Sequence, residues 1–184
     1  NILFTPAPTA NAGTDQTKCK NNNVATLAGS VTVATGGTWS GGTGVFNPNN
    51  NTLNATYTPS AAELANGFVN LTLTTTGNGS CLATTDNMVI TYTDAPTVNA
   101  GSDVTVCANN PSVTLNGSVT GATGGQWLGG TGTFSPNNST LNATYTPSAA
   151  EITAGTVTLT LTTTGNGLCN PESDQMTITI TPAP

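Results

Sequence analysis

Charged residues are almost missing from this sequence. Among 184 residues there are 2 Lys, 8 acidic residues, no Arg and no His, and the net charge is −6. Soluble domains ordinarily carry about 25% charged residues. Without His, the sequence excludes a Ser-His-Asp triad and histidine metal ligands. With two lysines there is no basic surface for phosphate groups, so nucleic acid is excluded as a partner.

Long apolar runs are missing as well, since none approaches the roughly 18 residues that a membrane-spanning helix needs. Threonine and asparagine are abundant instead, with 40 and 23 residues. Threonine favours strands over helices, and low net charge with 35% apolar residues is unlike a disordered chain. The composition therefore predicts an all-β globular protein.

The chain consists of two copies of one unit. Residues 7–94 align with residues 95–182 without a gap, and 59 of the 88 positions are identical. One run, TLNATYTPSAAE, occurs unchanged in both copies. Solenoid repeats typically have 20–45 residues, so a unit of this length is a domain in its own right.

The repeat also sets the expected domain boundaries. We expect domains at 7–94 and 95–184, with residues 1–6 as the last strand of a preceding repeat, because TPAP occurs near both ends of the chain. The chain is then a segment of a longer array. A short proline-containing linker joins the two copies, which predicts that they are held end to end with little bending.

Polar and apolar residues alternate along each unit at the period of two that marks a sheet with one buried face. Six or seven short strands in 88 residues predict a β-sandwich. In the first copy, strands are predicted near residues 15–19, 24–33, 53–58, 69–74 and 88–93, with a further short segment around Trp39 between two glycine pairs.

One helical turn is predicted in each unit. Ser60 and Glu63 have capping-box spacing, in which each side chain bonds the other residue's backbone N–H, and Ser148 and Glu151 repeat it. A glycine follows each turn and is expected to end it.

Large aromatic residues are predicted to anchor the core of each sandwich. These anchors are Trp39 and Tyr57 in the first unit, and Trp127 and Tyr145 in the second. The alternative is that each Trp is an exposed platform for a sugar.

The residues from Ala10 to Thr17, ANAGTDQT, followed by Gly-Ser and then a Trp on a later strand, resemble the opening of PKD domains. The run ATYTP, the LTLT strand and Asp86 before the last strand are also similar to that family. The whole Thr- and Asn-rich unit resembles the tandem PKD-like repeats of very large secreted surface proteins of Bacteroidota, including gliding-motility adhesins of the type 9 secretion system.

The resemblance implies two tandem immunoglobulin-like, PKD-like β-sandwiches displayed outside the cell. It carries over no catalytic residues. In that setting, and by the symmetry of the repeat, one disulfide is expected within each unit, Cys19–Cys81 and Cys107–Cys169. A Cys81–Cys107 bridge across the junction and free thiols are the alternatives.

Few acidic residues are available for a metal ion, and no cofactor is predicted. Calcium needs about six or more oxygen ligands, and no Asp-x-Asp cluster occurs. We expect the shared Asp residues to serve turns and the shared Glu residues to serve caps. Calcium, with Asp94 as an extra ligand, and a glycosidase pair are the alternatives. The acids common to both copies are Asp15, Glu63, Asp86, Asp103, Glu151 and Asp174.

Rows of threonine are expected on the solvent face of the strands, where this residue is favoured. Binding of ice or glycans to these rows is the alternative reading. The rows are Thr72, Thr74 and Thr76 in one copy, and Thr160, Thr162 and Thr164 in the other.

The function expected from these observations is a structural repeat segment of a large extracellular, cell-surface adhesin or filament, which extends it for surface attachment or gliding. Its partners are neighbouring repeats, with glycans or abiotic surfaces as further candidates, and no enzyme activity is expected. The alternative functions are a glycan- or surface-binding module and an accessory region of a secreted enzyme. The segment Ile2–Thr5 is expected to pair with a sheet edge by strand addition.

Overall fold

The structure, a computed structural model, describes residues 5–184. The chain divides into two compact units, with the boundary between Asp94 and Ala95. Strands make up 47% of the chain and helix 7%, so the all-β class is confirmed. No helix within residues 5–184 has the length and apolar character needed to cross a membrane. Residues 1–4 lie outside the described residues, and with them most of the expected strand-addition segment Ile2–Thr5 and of the segment 1–6.

The first unit has one short helix between two groups of strands. Its described elements are β1 (Thr9–Asn11), β2 (Gln16–Cys19), β3 (Ala25–Thr26), β4 (Ser30–Thr32), β5 (Gly36–Ser40), β6 (Val45–Asn47), β7 (Thr56–Thr58), α1 (Ala61–Asn66), β8 (Phe68–Thr76) and β9 (Thr85–Thr93).

The second unit repeats the same order of elements. They are β10 (Thr97–Asn99), β11 (Val104–Cys107), β12 (Val113–Thr114), β13 (Ser118–Thr120), β14 (Gly124–Leu128), β15 (Thr133–Ser135), β16 (Thr144–Thr146), α2 (Ala149–Ala154), β17 (Thr156–Thr164) and β18 (Ser173–Thr181).

Each unit is a β-sandwich. In the first unit a four-stranded sheet has the order β2-β9-β8-β5, a three-stranded sheet has the order β3-β7-β6, and β1 pairs with β4. Strand β2 runs parallel to β9, and the other pairs are antiparallel. The second unit has the same pairings, with β11 parallel to β18.

The core of each unit lies between its sheets. Strand β8 alternates buried and more exposed residues as predicted, with Leu71 and Leu73 fully buried and Thr72 and Thr74 on the outer face. Burying side chains of this size stabilises a fold by roughly 1.5–3 kcal/mol each. The most buried core residues of the first unit are Leu27, Trp39, Tyr57, Leu71, Leu73, Met88 and Ile90.

Two strand predictions were too long. The stretch 24–33 is not one strand but the short strands β3 and β4, separated at Gly29. A β-carbon on Gly29 would lie 2.7 Å from Cζ2 of Trp39, so the backbone here packs directly against the indole. The stretch 53–58 contributes only β7, because Leu53 lies in a turn. The Leu53 carbonyl accepts a hydrogen bond from the Gly29 N–H.

The predicted capping boxes are present. The Ser60 hydroxyl accepts from Glu63 N–H, and the Glu63 carboxylate accepts from Ser60 N–H. Gly67 then ends α1 in the left-handed conformation, with φ of 80°. The same arrangement surrounds α2 with Ser148, Glu151 and Gly155. Left-handed backbone is costly for residues with a β-carbon, which explains why a glycine follows the C-terminal end of each of the two helices.

Candidate functional site

The predicted disulfides within each unit are wrong. Cys81 and Cys107 are free thiols, which also excludes the alternative bridge between them. Cys19 and Cys169 are disulfide-bonded.

The topology of the sandwich explains why Cys19 and Cys81 cannot meet. Cys19 pairs with Thr93 at the end of β9, and its Sγ lies 3.8 Å from the Asp94 carbonyl oxygen. Cys81 lies in the loop that precedes β9, with its Sγ 3.9 Å from the Pro6 carbonyl oxygen. A nine-residue strand separates these places by about 26 Å at roughly 3.3 Å per residue. A disulfide needs Cα atoms within about 7 Å.

A carboxylate surrounded by donors lies at the start of the helix in each unit. Glu63 is 6% exposed and accepts from the N–H groups of Thr43 and Ser60, each at 2.7 Å. The Tyr57 hydroxyl donates to its two oxygens at 2.8 and 3.0 Å. The Gly44 N–H in turn donates to the tyrosine oxygen at 2.9 Å. This network ties α1, β7 and the loop after β5 together.

The second unit builds the same network. Glu151 accepts from Thr131 and Ser148 N–H groups at 2.7 Å and from the Tyr145 hydroxyl at 2.8 Å. Such repetition shows that the sequence specifies the network in each copy. We call this group of Tyr, Ser and Glu with its loop the Tyr–Glu network.

Electrostatics at the Tyr–Glu network favour the ionised carboxylate. Burial alone raises the pKa of Glu63, but hydrogen bonds from Ser60 and Thr43 N–H and from Tyr57 lower it below its usual value overall. Burial, together with the hydrogen bond to Glu63, strongly raises the pKa of Tyr57. The pKa of Tyr145 is raised to about 12 by burial and by Glu151. At neutral pH the pair is therefore a neutral hydroxyl bonded to an ionised carboxylate.

Sequence reasoning missed the glycine loop that encloses this network. A β-carbon on Gly42 would clash with the Tyr57 hydroxyl oxygen, and one on Gly44 would clash with both the Thr58 carbonyl and the Tyr57 ring. The available signal was the motif Gly-Gly-Thr-Gly, which occurs in both copies upstream of the tyrosine.

The tryptophans are core anchors. Trp39 and Trp127 are both 0% exposed, and each indole N–H donates to a backbone carbonyl 3.1 Å away. Tyr57 and Tyr145 are equally buried. The alternative in which the tryptophans form an exposed sugar platform is wrong, because neither ring reaches the surface.

The shared aspartates hold the first loop of each unit against its last strand. Asp15 accepts from Val89 N–H at 2.8 Å, and Asp86 accepts from Ala12 N–H at 2.8 Å. Asp103 and Asp174 make the equivalent bonds in the second unit. Asp94 forms an ion pair with Lys20 at the first unit's far end. Within residues 5–184, no three acidic or cysteine side chains group together as metal ligands would.

The threonine rows lie on the outer face of the four-stranded sheets, as expected for a solvent-side strand. Two threonines were missed as core residues. Thr75 and Thr163 are each 2% exposed, and each hydroxyl accepts a hydrogen bond from the backbone N–H of the residue just before the last strand of its unit. No cavity that would enclose a ligand occurs in residues 5–184.

The sequence matches no family model and no curated protein. Its fold is similar to that of the insect immune protein hemolin, with 11% identity, a TM-score of 0.50, and coverage of 98% of this chain and 49% of hemolin. Drosophila N-cadherin EC1-4 is also similar, with 14% identity, a TM-score of 0.48, and coverage of 97% and 50%. The chain spans about half the length of these structures. The hemolin match agrees with the observed architecture, which is a tandem of immunoglobulin-like β-sandwiches.

Proposed function

We propose that the chain is a structural repeat segment of a large extracellular adhesin or filament, in which sandwiches such as these act as spacers. The observation that carries the proposal is what the two copies share. They keep the core, the caps, the glycine loop and the Tyr–Glu network, all of which serve the fold.

The positions at which the copies differ support the same proposal. In strand β2 and the residue that follows it, the first copy has Lys18 and Lys20, and the second copy has Val106 and Ala108 at the corresponding positions. A surface that recognised one ligand in every repeat would need the same side chains in both copies. A spacer needs only the same fold, and its length grows with the number of copies.

An extracellular setting is part of this proposal. Disulfide bonds persist in oxidising compartments, and two of the four cysteines here are disulfide-bonded. Hemolin, whose fold is similar, is described in connection with homophilic adhesion. The proposal also includes a role in surface attachment or gliding, a PKD-like ancestry and the absence of enzyme activity.

The experiment is to remove one repeat, residues 95–182, from the gene that encodes the chain and to measure the distance of a distal tag from the cell envelope by electron tomography. We expect the tag to move toward the cell by the length of one unit, about 35–45 Å for strands of this size with loops at both ends. Attachment per exposed tag should be unchanged.

A glycan array with the two-unit chain separates the alternative, a binding module. The spacer proposal expects no binding above that of a denatured control. Specific binding to one glycan, together with loss of attachment after removal of the repeat, would overturn it in favour of the binding module.

A further inference from the structure

Asparagine is followed directly by glycine at four places in the chain. The pairs are Asn66–Gly67, Asn78–Gly79, Asn116–Gly117 and Asn166–Gly167. An asparagine in such a pair is prone to deamidation, because the next backbone nitrogen attacks its side-chain amide and glycine has no β-carbon to hinder the approach. Asn78 and Asn166 occupy corresponding positions, whereas the other two asparagines correspond to Ala154 and Ala28.

The asparagine that both copies share lies in the loop between the last two strands of each unit. We call residues 77–79 and 165–167 the Gly-Asn-Gly loops. Gly77 and Gly79 have φ of 67° and 61°, in the left-handed region that glycine adopts at no steric cost. Gly165 and Gly167 have φ of 66° and 59°. The turn that joins the two strands therefore requires a glycine directly after the asparagine.

The asparagine side chain in each loop is held at one end only. Asn78 Nδ2 donates to the Thr75 carbonyl at 3.2 Å, and Asn166 Nδ2 donates to the Thr163 carbonyl at 3.3 Å. The Oδ1 atom of each asparagine is buried and accepts no hydrogen bond from any residue in 5–184. A buried acceptor without a donor is unfavourable, so these amides lose little stabilisation when their carbon is attacked.

The attacking nitrogens of the Gly-Asn-Gly loops have no hydrogen bond to hold them. Within the part of the chain that the structure describes, neither the Gly79 N–H nor the Gly167 N–H donates to an acceptor. Apart from the neighbours in the chain, no atom lies within 4 Å of the place that a β-carbon on either glycine would take. Each nitrogen can therefore turn toward the asparagine without breaking a contact.

The attacking nitrogens of the other two pairs are held. The Gly67 N–H donates to the Glu63 carbonyl at 2.9 Å, and the Gly117 N–H donates to the Leu141 carbonyl at 3.1 Å. A β-carbon on Gly117 would lie 2.7 Å from Cδ2 of Leu161, so this backbone is packed against the core. Attack from either nitrogen must first break a backbone hydrogen bond.

We propose that Asn78 and Asn166 are sites of spontaneous deamidation in the folded chain, and that Asn66 and Asn116 are protected from it. The Gly79 nitrogen loses its proton and bonds to Cγ of Asn78. The Cγ–Nδ2 bond then breaks, and the amide nitrogen takes up a proton and leaves as ammonia. Water opens the resulting cyclic imide at one of its two carbonyl groups, which yields aspartate or isoaspartate. Water is the only co-reactant, and nothing is oxidised or reduced.

Each event adds one negative charge to a chain whose net charge is −6. It also removes the donor to the Thr75 carbonyl, because an ionised carboxylate can only accept hydrogen bonds. The loop must then separate from the end of β8, and isoaspartate lengthens its backbone by one methylene group. The modification thus records the age of the chain in each copy. This inference goes beyond the spacer function and holds whichever task the repeats perform.

Hydroxylamine tests the assignment on the intact chain, because it attacks the cyclic imide and cuts the chain between Asn and Gly. The folded chain is incubated with hydroxylamine in mildly alkaline buffer, then reduced, and its fragments are identified by mass spectrometry. We expect cuts after Asn78 and Asn166. Asn116 is the matched control for Asn78, since both begin the tripeptide Asn-Gly-Ser.

The folded chain should be cut after Asn78 about tenfold faster than after Asn116, which corresponds to about 1.4 kcal/mol and is of the order of one hydrogen bond. In concentrated urea the two rates should become equal, because the tripeptides are the same. Equal rates in the folded chain, or cuts after Asn78 in urea alone, would overturn the proposal.

Ageing without hydroxylamine gives a second readout, in which isoelectric focusing follows the acidic forms of the chain. They should accumulate in the wild type and be nearly absent from the double variant Asn78→Gln and Asn166→Gln, because glutamine forms its cyclic imide far more slowly. The double variant Asn66→Ala and Asn116→Ala places in each copy the residue of the other and should age as the wild type does. Loss of the acidic forms from this second variant instead would show that the assignment is wrong.

Discussion

The hydroxyl of Tyr57 donates to the carboxylate of Glu63 across 2.8 Å, and Tyr145 and Glu151 repeat this bond at 2.8 Å in the second unit. The remaining acceptor capacity of each carboxylate is occupied by backbone N–H groups. A buried charge is tolerated only when it is paired or hydrogen-bonded. Here neutral hydrogen-bond donors alone stabilise the buried carboxylate.

Replacing Glu63 by Gln should destabilise the first unit. The amide NH₂ would have to face donors that now point at a carboxylate oxygen, leaving at least one buried group unsatisfied. We expect a loss of about 1–3 kcal/mol in the free energy of unfolding. Urea unfolding followed by tryptophan fluorescence measures it, and Thr91→Ser, on an exposed position of β9, is the control. A loss no larger than that of the control would contradict the role of the network.

Stability should fall in acid because of the same carboxylates. The pKa values of Glu63 and Glu151 are lower in the folded chain than the ordinary 4.5 of the unfolded chain. The unfolded state therefore binds protons first, and the stabilisation is fully present above pH about 4.5 and is lost as pH falls through the folded pKa.

Urea midpoints between pH 2 and pH 7 test this dependence. The wild-type midpoint should be level near neutrality and decline at the acid end. The double variant Glu63→Gln and Glu151→Gln should be less stable at neutral pH but should lose most of that decline. Equal acid slopes in the two proteins would show that other groups control the acid response.

Replacing Tyr92 by Phe should stabilise the first unit or leave it unchanged. The Tyr92 hydroxyl is buried and has no hydrogen-bond partner among the described residues, and burial with the charge of Glu63 raises its pKa to about 12. The second unit has Ile180 at the corresponding position. Removing an unsatisfied buried hydroxyl recovers up to about 1–3 kcal/mol.

Tyr57→Phe is the matched comparison. It removes the same hydroxyl oxygen as Tyr92→Phe, but the Tyr57 hydroxyl both donates and accepts hydrogen bonds. We expect this variant to lose about 1–2 kcal/mol, because two buried partners lose a bond. If both tyrosine variants change the free energy of unfolding equally, hydrogen bonding of the hydroxyl is not what distinguishes them.

Gly29→Ala should destabilise the core around the tryptophan. The new methyl group would lie 2.7 Å from Cζ2 of Trp39 and 2.9 Å from the Leu53 carbonyl oxygen. Overpacking of this kind costs about 1–3 kcal/mol. Gly36→Ala is the control, because its methyl group would approach only the rotatable hydroxyl of Thr76, at 3.1 Å. Thermal unfolding should rank Gly29→Ala clearly below Gly36→Ala, and the reverse order would contradict the packing account.

Local patterns in the sequence predicted those parts of the fold that depend on local contacts. The alternation of Leu71, Thr72 and Leu73 specifies the strand and its buried face. The spacing of Ser60 and Glu63 specifies the helix start. In both cases the interacting groups are neighbours in the chain, so the pattern alone contains the information.

Features that depend on distant pairing were not predicted. The break at Gly29 exists because Trp39, ten residues later, returns to pack on it. The prediction of the cysteine pairing was wrong for a similar reason. The parallel alignment of β2 with β9 decides which end of the sandwich Cys19 occupies, and no local pattern in the sequence marks that alignment.

The most direct test of the spacer account is to stretch the reduced chain from its two ends in a single-molecule force experiment. Two self-contained units predict two unfolding events, each releasing roughly 300 Å of chain for 88 residues at about 3.3–3.6 Å per residue. One event that releases the whole chain at once would contradict the account, because the two copies would then share one cooperative interior.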